Sequence, residues 1–133
     1  MGATLGSRVD VAIRRLALIS VAEGAAAQAV AAALIESYCD EVQAQAETGG
    51  LLQRPRFSPG YGDWPLEEQR KLFAVLNCAK CIGLTLTDGL MMAPSKSVTA
   101  IIGLSEDAVC VQNKCMTCSN INCPYRDTDI KKV

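Results

Sequence analysis

The chain has 133 residues, half of them hydrophobic and a fifth charged, and its 13 basic and 14 acidic side chains leave a net charge of −1. That balance suits a single folded domain with one core and excludes an extended disordered chain or a basic surface for nucleic acid. The absence of any histidine excludes imidazole-based triads, zinc sites with imidazole ligands and the usual general base.

The first residues, Met1 to Arg8, lack the charged and apolar blocks of a secretory leader, and Gly6 stands where a myristoylation motif wants Ser or Thr. The expected address is cytoplasmic. Val9, Ile13, Leu16 and Ile19 recur at helical spacing and predict a first helix. From Glu23 to about Glu47 alanines dominate and predict the longest helix, with Val30, Leu34, Ile35, Tyr38 and Val42 as its core stripe and Glu36, Asp40 and Glu41 as its polar side. Its longest uncharged run, Gly24 to Ile35, is too short to span a bilayer, so no membrane partner is expected. Thr48-Gly49-Gly50 ends the helix, because glycine reaches the left-handed conformation that terminates helices.

A long loop from Leu51 to Trp64 follows, punctuated by Pro55, Pro59-Gly60 and Gly62. Pro65 opens a further helix whose first turn carries Glu67 and Glu68, with Leu66, Leu72, Phe73 and Leu76 facing the core and an end near Asn77. Ile82 to Met92 reads as irregular with one short strand. Ser97 to Leu104 alternates as a strand, Val98, Ala100, Ile102 and Leu104 on one face and Thr99 and Ile101 on the other, and Ala108 to Val111 is its expected antiparallel return. The expected class is therefore α+β, helices flanking a small antiparallel sheet or hairpin, with residues 1–109 as the domain and 110–133 as a cysteine-rich tail.

The chemistry concentrates in Arg56-Phe57-Ser58-Pro59-Gly60-Tyr61. Arg56 offers a forked donor for a carboxylate. Ser58 and Gly60 present backbone groups without obstruction, and Tyr61 offers an aromatic face for a cation or a purine ring. Residue types alone leave a second reading open, an inert proline-bracketed surface loop.

The wider pattern narrows this. Arg56 to Trp64, an acidic-start helix, Leu86-Thr87-Asp88-Gly89-Leu90-Met91-Met92-Ala93-Pro94 and Ser97-Val98-Thr99 together resemble the activation domain of cobalamin-dependent methionine synthase, and Thr4 to Asp10 resembles an early segment of its stand-alone members. The resemblance implies that Arg56, Gly60 and Tyr61 meet an Arg-x-x-x-Gly-Tyr motif for S-adenosylmethionine, with Ser58 beside them. It implies reductive methylation of cobalamin carried by a partner synthase that lacks its own activation domain, with an electron from a donor such as flavodoxin or ferredoxin. Family members carry a substantial region ahead of the Thr-Leu-Gly segment, whereas Met1 stands three residues before it, so the domain's first part is expected to be missing. One acidic ligand contact belongs to that region and another to the long helix, where the sequence does not single out Glu36 or any other residue. Val109, Cys110 and Val111 stand where the family places an aromatic in the return strand.

Cys110, Cys115, Cys118 and Cys123 gather four thiols in a polar segment, and Cys78 and Cys81 form a second close pair. Four thiolates at such spacing suit zinc or an iron-sulfur cluster, and free thiols are the other reading. A small metal-binding redox or structural protein acting through this tail is accordingly the alternative function. Cys39, alone on the long helix, reads as a small buried hydrophobe.

Overall fold

The computed structural model describes residues 1–106. Strand β1 (Gly2–Thr4) leads into helix α1 (Ser7–Ile19), and one extended residue, Ser20, reverses the chain into α2 (Val21–Gln45). Ser20 makes so short a reversal workable because its Oγ accepts a hydrogen bond from the Glu23 backbone N–H at the start of α2. The two helices then lie against each other with Gly24 directly over Ala17.

Beyond α2 come β2 (Leu52–Gln53), a single 3-10 turn (Leu66–Glu68) running into α3 (Gln69–Leu76), and α4 (Cys78–Ile82). Asn77 separates the last two helices in the left-handed conformation, at φ 49°. Strands β3 (Thr85–Leu86) and β4 (Met92–Ala93) form a hairpin, followed by β5 (Ser97–Thr99) and β6 (Leu104–Ser105). The architecture is the α+β mixture expected: helices beside antiparallel strand pairs.

The strand expected over Ser97 to Leu104 is divided. Its first part, β5, pairs with β1, and its second, β6, pairs with β2, with an isolated bridge between Phe57 and Ile101 in the middle. Its partners thus come from far along the chain, while Ala108 to Val111, the expected return strand, lies outside the described residues. The expected faces are also corrected. Thr99 is 1% and Ser97 8% exposed, while Ile101 and Leu104 lie open to solvent. Polar groups can face inward here because each has a partner. Thr99 Oγ1 accepts a hydrogen bond from the buried Gln69 Nε2, and the Ser97 hydroxyl lies 2.7 Å from Pro94 O and 2.8 Å from Thr4 Oγ1.

Gln69 is the buried residue of α3, whereas Leu66 is exposed and Leu72, Phe73 and Leu76 are half-buried. Replacing Gln69 with leucine is expected to lower stability by about 1 to 3 kcal/mol, because it strands the Thr99 hydroxyl without its donor. A thermal melt reads this, and an unchanged midpoint would show the pair to be dispensable.

Helix α2 departs most from expectation. Its buried residues are Gly24, Ala31, Ile35 and Cys39, while Val30, Leu34, Tyr38 and Val42 are exposed. Ile19, at the end of α1, is exposed as well. Small side chains occupy the inner seam because α1 approaches too closely for large ones, and Ile35 and Cys39 then meet Ala3, Met1, Leu5 and Val98. Gly49 and Gly50 adopt positive φ as expected, in a turn after the helix end at Gln45. Among the described residues, no helix is long and apolar enough to cross a membrane.

Candidate functional site

The C-terminal half of α2 and the loop from Pro55 to Tyr61 enclose a pocket of about 510 Å³, within the range of small-molecule sites. The loop is held open to α2 by backbone hydrogen bonds on its other edge: Arg54 N–H donates to Gly103 O at 2.8 Å, and Phe57 and Ile101 exchange bonds of 3.0 and 2.9 Å. From the α2 side Gln43 Nε2 donates to Arg54 O at 3.2 Å, and Gln53 Nε2 donates to Gln43 O at 2.8 Å. Helix, loop and strand are thereby tied together around one cavity.

Arg56 lines it together with Glu36, Asp40 and Gln43. Nη1 donates to Asp40 Oδ1 at 2.6 Å and to Gln43 Oε1 at 3.1 Å, and Nη2 donates to Glu36 Oε2 at 3.0 Å. The guanidinium side chain is 17% exposed, against 61% for Glu36 and 71% for Asp40. Burial works against its charge, but the hydrogen bonds it donates to Asp40 and Glu36 outweigh that and raise its pKa above the ordinary arginine value. Arg56 is a fixed cation with oriented donors.

Ser58 and Tyr61 also line the pocket, Ser58 half-buried and Tyr61 exposing its ring. Phe57 joins them and stacks on Trp64, with ring centres 5.9 Å apart and planes 7° from parallel. That stack stiffens the loop between its glycines.

Gly60, the fourth loop residue singled out from sequence, stands apart from the lining. Its φ is +92°, and an added Cβ would lie 3.1 Å from Leu66 Cδ1. Glycine is needed there for backbone shape, with the missing side chain directed at Leu66. Gly60→Val is therefore expected to lower stability by about 1 to 3 kcal/mol, with any loss of ligand binding following from loop displacement. Paired melts and titrations check this; weakened binding at an unchanged melting point would indicate close ligand approach instead.

Sequence reasoning missed Asp40, Gln43 and Gln53 as pocket residues and left Glu36 unassigned. The usable signal was the spacing of Glu36, Asp40 and Gln43, which places three polar side chains along one flank of a helix. Their meeting with Arg56 lies beyond a local pattern.

Behind this flank, Cys39 is fully buried, and burial pushes its thiol pKa up against the opposing pull of Arg56. Cys78 is likewise buried and raised by burial, with Cys81 adding to the shift, while Cys81 itself is exposed. Brief native labelling with iodoacetamide, read by peptide mapping, should modify Cys81 well before Cys39 or Cys78. Rapid labelling of Cys39 would mean that the α2 seam opens readily.

Among the described residues, no group of three or more metal-ligating side chains comes together. Cys110, Cys115, Cys118 and Cys123 lie outside the described residues.

No curated protein matches the chain. The family described as vitamin B12 dependent methionine synthase, activation domain, matches residues 25–115, a span that holds most of α2, the whole Arg56 loop and every described strand after β1. With that match covering more than half of its length, the chain belongs to the family of vitamin B12 dependent methionine synthase activation domains.

Proposed function

We propose that the pocket between α2 and the Arg56 loop binds S-adenosylmethionine and so supports the reductive methylation that restores an inactive cobalamin-dependent methionine synthase. The observation that carries this reading is the clustering of Arg56, Glu36 and Asp40 beside Ser58 and Tyr61 in one pocket of suitable volume. A ligand with a carboxylate, an ammonium, a sulfonium and a purine ring needs groups of both charges and an aromatic surface. Arg56 answers the carboxylate, the α2 carboxylates answer the cationic groups, and Tyr61 answers the ring or the sulfonium.

The role of this chain is to bind and orient. Its residues hold the ligand so that the methyl group faces outward toward a partner surface, which turns a bimolecular transfer into a positioned one. Cobalamin, carried by the partner synthase, supplies the metal-centred nucleophile, and a separate donor such as flavodoxin or ferredoxin supplies the electron. No general base is required, in keeping with a chain without histidine. The partner is a synthase without an activation domain of its own, in the cytoplasm.

Isothermal titration of the full chain with S-adenosylmethionine tests the reading. One-to-one binding that competes with S-adenosylhomocysteine supports it. Absence of binding at millimolar ligand would overturn it.

A further inference from the structure

We infer that Glu36 and Asp40 make this pocket selective for ligand charge, so that it holds the cationic sulfonium more tightly than the neutral thioether left after methyl transfer. The inference rests on the proposal that S-adenosylmethionine is the ligand. It adds a means of product release that lies in two side chains of α2.

The charges in the pocket do not cancel. Two carboxylates and one guanidinium line it, leaving one negative charge in excess. Arg56 is already engaged on both terminal nitrogens, Nη1 with Asp40 and Gln43 and Nη2 with Glu36. An incoming carboxylate therefore meets a cation that two neighbours have neutralised. To pair with Arg56 it must share or displace one of them, and a released carboxylate then needs a positive partner.

The amino-acid end of the ligand supplies one ammonium for its one carboxylate, a net charge of zero. The sulfonium supplies the extra positive charge that balances the pocket. When the methyl group is transferred, the carbon–sulfur bond breaks and its electron pair stays on sulfur. The sulfonium becomes a neutral thioether while the methyl carbon bonds to the nucleophile of the partner. The pocket is then left with its excess negative charge unmatched, and the product loses the attraction that the substrate had.

Geometry limits the size of the effect. The Glu36 and Asp40 side chains are 61% and 71% exposed, so water screens them, and the preference for the cation should be about ten-fold at low salt. Screening also gives the effect a signature. Raising salt from about 0.1 M to about 1 M shortens the screening length from about 10 Å to about 3 Å and should shrink the preference toward unity.

The experiment titrates the full chain with S-adenosylmethionine and with S-adenosylhomocysteine, at low and high salt, and repeats both titrations on Glu36→Gln, Asp40→Asn and the double variant. The expected result is a preference of about ten-fold for the sulfonium in the unmodified chain, falling with salt, and close to none in the double variant. Equal affinities in the unmodified chain, or a preference that survives both high salt and the double substitution, would overturn charge selectivity while leaving the ligand assignment intact. Binding of neither ligand would overturn the ligand assignment and this inference together. The salt series on the unmodified protein keeps the test decisive even where a variant folds poorly.

Discussion

Replacing Arg56 with alanine is expected to weaken S-adenosylmethionine binding by about 1.5 to 3 kcal/mol, roughly ten- to a hundred-fold in dissociation constant. The ligand carboxylate loses a forked, charge-assisted donor and is left facing Glu36 and Asp40, which repel it. The excess negative charge also rises from one to two and attracts the ligand's cationic groups more strongly, but those carboxylates are largely solvated and the lost donor dominates.

Stability should change much less, by about 1 kcal/mol or under, because both acidic partners are largely solvated and exposed ion pairs contribute little. Binding and folding can therefore be separated by a titration and a melt on the same preparation. Arg56→Lys is expected to recover only part of the loss, since an ammonium cannot reproduce two nitrogens directed at Asp40, Gln43 and Glu36 together. An Arg56→Ala chain that binds as tightly as the unmodified one would remove Arg56 from the site.

The largest loss of stability is expected from Gly24. A Cβ added there would lie 2.6 Å from Ala17 Cβ and 2.7 Å from Ala17 Cα, and the second of these is backbone that cannot rotate away. In an isolated helix Gly→Ala would stabilise by about 1 kcal/mol, so the sign of the effect reports which force wins. Overpacking at so close a helix contact costs about 1 to 3 kcal/mol, and we expect Gly24→Ala to be net destabilising. Gly24→Leu should cost about 3 kcal/mol or more and lower the melting temperature by roughly 10 °C.

A compensating change adds a second check. Ala17→Gly placed in the Gly24→Ala chain removes the Cβ–Cβ clash but leaves the contact with the Ala17 backbone, so recovery should be partial. A Gly24→Ala chain more stable than the original would show that α1 and α2 separate at little cost.

The sequence by itself determined a good deal. The α2 helix, its end before Gly49 and Gly50, the helix opened by Pro65 and the turn-rich loop from Arg56 to Tyr61 are all local matters of backbone preference and spacing. So is the family, because the order of the loop, the acidic-start helix and the Leu86 to Pro94 segment lies along the chain. Tertiary structure alone decided which side of α2 is buried. A helix rich in alanine has little contrast between its faces, so the apolar stripe of Val30, Leu34, Tyr38 and Val42 misdirects. The inner face was chosen by how closely Ala17 approaches Gly24. Strand partners were equally illegible, since β1 with β5 and β2 with β6 join segments separated by whole helices, and loop closure over such distances leaves no mark on either segment. The same holds for Arg56: the sequence shows a forked cation, and only the fold brings Glu36 and Asp40 across to meet it, which changes the net charge that lines the pocket.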